Sequence, residues 1–128
     1  MKQWLAISLG ASLLAASLAH ASTPLVGVGM AKYNDNFQTI LRHGVEKQVA
    51  VLDADIFMEN GQDNVELQMR QFRNLVSSRV DTIVVAMVNG KSAPEMMRLA
   101  NEAKIPLVFV NRNPEPAKWP PQTAFVGS

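Results

Sequence analysis

The chain alternates between two patterns of apolar positions. Short, nearly continuous apolar runs recur at 25–30, 55–59, 81–87, 105–110 and 123–126. Runs of this length, rich in Val and Ile and bounded by turn residues, predict strands buried on both faces. The run 81–87, Asp81-Thr82-Ile83-Val84-Val85-Ala86-Met87, is the most β-branched and predicts a central strand. Between the runs the apolar spacing changes to three and four. Phe37, Ile40, Leu41, Val45, Val49 and Leu52 predict one inward helix face ending near Leu52. Val65, Met69, Phe72 and Val76, with Leu75 beside them, predict a second helix over about 65–78, with Gln68, Arg70, Gln71, Arg73 and Asn74 mostly solvated. Met97, Ala100 and Ala103 predict the inward face of a third.

The helix starts carry capping signals. Asp35 with Gln38, and Ser92 with Glu95, have the three-residue spacing of a capping box, and Pro94 falls in a first turn, where its missing N–H costs little. Pro106 stands early in the fourth apolar run, where a strand tolerates proline. After Asn113, four prolines around Trp119 mark an irregular connection to the last run.

The order β-α-β-α-β-α-β-loop-β predicts an α/β fold: an open parallel sheet, strand order 2-1-3-4-5, with right-handed crossovers and helices on both faces. In such sheets the ligand-binding crevice lies at the carboxyl ends of the strands. Four turns should gather there, at 32–37, 60–63, 88–90 and 111–113, and all are rich in Asn, Asp and Lys or Arg. Asp accepts hydrogen bonds, Arg donates them and Asn does both, which suits a ligand bearing many hydroxyls.

Composition narrows the setting. Met1, Lys2 and Gln3 precede an uncharged apolar stretch from Trp4 to Leu18, and Ala19-His20-Ala21 supplies a small-x-small cleavage signal. This predicts a signal peptide over 1–21, removed before Ser22, and a periplasmic or secreted product over 22–128. The stretch falls short of the roughly 20 strongly apolar residues a spanning helix needs, so no stable membrane insertion is expected. Loss of Lys2 leaves 11 basic and 11 acidic residues, a balance that argues against nucleic acid as a partner. The chain has no cysteine, so neither a disulfide framework nor a thiol nucleophile is available.

Several apparent motifs carry little chemistry. Gly90-Lys91-Ser92 resembles the end of a phosphate-binding loop, but the glycine needed five residues earlier is Val85. His43 and Glu46 are too few for zinc, which takes three or four ligands. No Gly-x-Ser-x-Gly elbow is present. The methionines at 69, 96 and 97 fit core filling. Asp35 fits two compatible roles, a helix cap worth about 0.5–2 kcal/mol and a ligand acceptor. Phe37 fits either the first core position of its helix or a ring packed flat on a sugar.

The sequence Lys32-Tyr33-Asn34-Asp35-Asn36-Phe37 after a Val-Gly-Val strand resembles the first strand and turn of periplasmic sugar-binding proteins of the glucose/galactose- and ribose-binding kind. Val108-Phe109-Val110-Asn111-Arg112 and Phe125-Val126-Gly127-Ser128 resemble later strands of the same family. The resemblance implies a type I periplasmic binding protein lobe and no enzymatic activity. The expected partners are a monosaccharide, the permease of an ABC importer and a chemoreceptor. It implies Asp35 as acceptor from sugar hydroxyls, Phe37 as stacking ring, and Asn111 and Arg112 as donors to hydroxyls and ring oxygen. Asn36 and Asn89 complete the expected set. Arg112 stands where hexose binders have lysine, and Ala31 where they have an aromatic, so the particular sugar stays open.

Family members are two-lobed and close around their ligand, so 22–128 is expected to be an incomplete N-terminal lobe whose second lobe is absent. No cofactor is expected, since the calcium loop of hexose binders belongs to that other lobe. Two other readings remain: a truncated remnant that binds nothing, and an exported α/β hydrolase.

Overall fold

Strand β1 (Leu25–Met30) lies inside the sheet, hydrogen-bonded on both edges. The computed structural model describes residues 22–127, so the predicted signal peptide lies outside the described residues. One side of β1 pairs in parallel with β2 (Asp55–Asn60), Leu25 opposite Asp55 through Met30 opposite Asn60. The other side pairs with β3 (Thr82–Val85), which continues to β4 (Leu107–Val110) and β5 (Thr123–Val126). The observed order is β2-β1-β3-β4-β5, all parallel, as the βα alternation predicts. Pro106 falls just before β4, and its carbonyl accepts from the Ile83 N–H.

Strand side chains alternate between two cores. On one face Ile83, Val85, Leu107 and Phe109 pack with Phe72 and Leu75 of α2 (Val65–Ser77) and Met96 of α3 (Ala93–Glu102). On the other, Val28, Met30, Ala86 and Val110 pack with Leu41 and Val45 of α1 (Asn36–Val51). Among the described residues this second face has a single helix over it. Ile40 and Leu52, expected inward, are 73% and 65% exposed, because the apolar stripe of α1 is wider than its contact with the sheet. They border an open apolar groove with Val84, Val108 and Val126 on its floor.

Other expectations are corrected in the helices. Ser92 makes no capping bond, because its backbone is already helical (φ −76°, ψ −18°). Asn89 caps instead, accepting from the Lys91 N–H at 2.9 Å at the head of a 3-10 turn, Gly90–Ser92, that leads into α3. Ala103 is exposed beyond the end of α3. Gln68 is 2% exposed rather than solvated.

Each of the three described α-helices is followed by a non-glycine residue in the left-handed region: Asp53 (φ 51°), Arg79 (φ 53°) and Lys104 (φ 56°). Glycine is the usual residue there because it has no Cβ to clash. Arg79→Gly and Lys104→Gly should each raise stability by about 1 kcal/mol. Thermal denaturation would show this as a melting point higher by about 4–8 °C per change.

Candidate functional site

Because every strand runs the same way, the turns after β1, β2, β3 and β4 open on one edge. A basin there is lined by Lys32, Asp35, Phe37 and Gln38 from the first turn and α1, Asp63 from the second, Met87 and Val88 from the third, and Asn111 and Arg112 from the fourth. The structure thus brings together Asp35, Phe37, Asn111 and Arg112 of the six expected residues. Asn36 and Asn89 are exposed and line no part of the basin.

Asp35 holds an extended backbone (φ −107°, ψ 137°), and its Oδ1 accepts from the Gln38 N–H at 3.1 Å, the geometry of an N-cap. The return bond of a capping box is missing, since the Gln38 side-chain oxygen has no partner among the described residues. The other carboxylate oxygen, Oδ2, lies 3.8 Å from Lys32 Nζ, which is also 3.9 Å from Asp63 Oδ2. Both separations exceed hydrogen-bond length, and all three side chains are over a third exposed, so these ion pairs hold Asp35 loosely. Capping therefore leaves Asp35 free to accept from a ligand.

Phe37 is 54% exposed, which sets aside its core role and presents an apolar ring at the basin. The turn behind it is fixed by the Thr39 hydroxyl donating to Tyr33 O at 3.0 Å, and by the Arg42 guanidinium 4.9 Å from the Tyr33 ring centroid. Partial burial raises the Tyr33 pKa, opposed by the nearby Arg42 charge.

The neighbouring turns are stapled in place. The N–H groups of Gly61 and Asp63 donate to Met30 O and Ala31 O, each at 2.8 Å. A Cβ on Gly61 would stand 2.9 Å from that Met30 oxygen, so only glycine permits the approach. Gln68 Nε2 donates to Ala86 O at 3.0 Å, and its Oε1 accepts from the Val88 N–H at 2.8 Å. Asn111 has φ 69°, a left-handed conformation asparagine tolerates better than most residues.

Lys32, Gln38, Asp63, Met87 and Val88 were not among the expected ligand-binding residues. Gln38 had a visible signal: it falls three residues before Leu41 and seven before Val45, on the sheet-facing stripe of α1, where an amide is out of place. A second cleft, near Arg79, Asp81 and Lys104, lies at the opposite, amino-terminal end of the strands and contains none of the expected residues. Among the described residues no group of three or more His, Cys, Asp or Glu could hold a metal. No described helix is long and apolar enough to cross a membrane.

An open parallel sheet with a polar basin at its switch-point edge is the architecture of one lobe of a type I periplasmic binding protein. The chain belongs to the periplasmic binding protein domain family, whose match spans residues 26–128. It is 38% identical over 130 residues to a putative rhizopine-binding protein of Rhizobium meliloti, covering 100% of this chain and 41% of that protein. It is 31% identical over 110 residues to the D-galactose/methyl-galactoside binding periplasmic protein of Haemophilus influenzae, covering 85% of this chain and 32% of that protein. Among solved structures it resembles an ABC transporter solute-binding protein from Bacillus halodurans with bound myo-inositol. There the TM-score is 0.69 at 27% identity, over 74% of this chain and 33% of the other. The chain thus spans 32–41% of the length of these relatives.

Proposed function

We propose that this chain forms one wall of a periplasmic solute-binding site for a small polyhydroxylated ring, a monosaccharide or cyclitol. The carrying observation is that an acceptor, Asp35, an exposed ring, Phe37, and two donors, Asn111 and Arg112, line one basin. Phe37 stacks on the apolar face of the ring, while Asp35 accepts from hydroxyls and Arg112 donates to oxygen. The activity is binding and delivery to an ABC importer, with a chemoreceptor as a further partner, rather than catalysis. The relatives, named for binding rhizopine, galactosides or myo-inositol, support this class of ligand.

The signal peptide over 1–21 exports the protein. The opposite wall of the cleft comes from a second lobe, as deep sites bury most of a ligand's surface. Calorimetric titration of the exported full-length protein against pentoses, hexoses and inositols tests the reading. Saturable heat with at least one of them is expected, and a flat response to all would refute it.

A further inference from the structure

We infer that Gln38 is a further ligand-contacting residue, its side-chain amide hydrogen-bonding a ring hydroxyl and so helping to select the ligand. This rests on the binding function proposed above. Gln38 is 5% exposed, lines the basin beside Asp35 and Phe37, and carries a buried side-chain oxygen with no partner among the described residues. An orphaned buried acceptor destabilises a fold, so native structures nearly always supply a partner.

Gln68 shows how this chain treats a buried amide that serves folding: both of its ends are hydrogen-bonded to backbone. The Arg42 Nε and Gln71 Oε1 also lack partners, but neither residue lines the basin. Of these three residues Gln38 alone lines the basin, so its amide is the one that a ligand seated there would meet. A hydroxyl both donates and accepts, so it satisfies whichever end of the amide faces the basin, whereas a C–H face satisfies neither. Leu41 and Val45 continue the same stripe with apolar side chains, so the fold itself has no need of an amide at 38.

Gln38→Met keeps the length of the side chain and removes its polar end. The full-length protein and this variant are titrated with the ring that binds best and with its monodeoxy analogues. Affinity for the parent ring should fall about tenfold or more in the variant. One monodeoxy analogue should bind the wild type more weakly by a similar factor, yet bind Gln38→Met no worse than the parent ring does. Melts of Gln38→Met and of a second variant, Gln38→Leu, should match or exceed the wild type.

Equal affinity of wild type and Gln38→Met, with Asp35→Asn still weakened, would overturn the role of Gln38 alone. Variants that melt several degrees lower, or fail to fold, would assign the amide to the fold and overturn it too. A wild type that binds no ring at all would remove both the inference and the binding function beneath it.

Discussion

Asp35→Asn should weaken binding of the ring ligand by about tenfold or more while leaving the melting temperature nearly unchanged. The observed cap and the proposed ligand contact of Asp35 separate because they use different properties of the side chain. Capping needs one oxygen at the Gln38 N–H, and asparagine caps as well as aspartate does. Ligand binding needs a charged acceptor, and hydrogen bonds to an ionised group contribute about 1.5–3 kcal/mol, roughly tenfold or more in affinity. Loss of the long, exposed contact to Lys32 adds little, as such ion pairs are worth about 0–1 kcal/mol. Asp35→Ala should lose both functions, binding weakly and melting lower by the worth of a cap, about 1 kcal/mol. Calorimetry paired with thermal melts reads the two effects independently. An Asn variant that binds like the wild type would leave Asp35 as a cap only.

Gln68→Leu should be the most damaging of these changes to the fold, by about 2–5 kcal/mol. The leucine fills much of the same volume, but Ala86 O and the Val88 N–H each lose the side-chain partner that Gln68 provides. Leaving a buried backbone group unpaired costs about 1–3 kcal/mol, in full for Ala86 O and less for the part-buried Val88 N–H. The same clamp holds the turn that carries Met87 and Val88 into the basin, so ligand affinity should fall along with stability. Urea denaturation would measure the first effect and titration of the surviving folded protein the second. A loss under about 1 kcal/mol would mean that the turn holds its shape without the clamp.

The sheet was legible because its parallel strands, the inner ones buried on both faces, leave continuous apolar runs, and the three described α-helices between them have a helical apolar period. That Asp35, Phe37, Asn111 and Arg112 gather in one basin was legible because strand ends in such a sheet face the crevice, and because their local motifs resemble a known family. The misses share a cause: they depend on partners distant in the chain. Gln68 reads as polar surface until Ala86 and Val88 are placed beside it. Ile40 and Leu52 read as core until the width of the sheet beneath α1 is known. The left-handed residues Asp53, Arg79 and Lys104 lack the glycine that usually marks a helix end. Asp63 reaches the basin only because Gly61 docks its turn on the end of β1.

The left-handed backbone of Asn111 restricts which residues that position can accept. Glycine, asparagine and aspartate are the side chains that enter this conformation with least strain. Of those three, only asparagine both donates and accepts. With the binding function proposed above, mutational drift at 111 is therefore caught twice: most replacements strain the chain, and the two that do not deprive a ligand of either a donor or the whole side chain. A library randomised at this codon and sorted separately for folding and for binding should return a short list from the first sort and a single residue from the second.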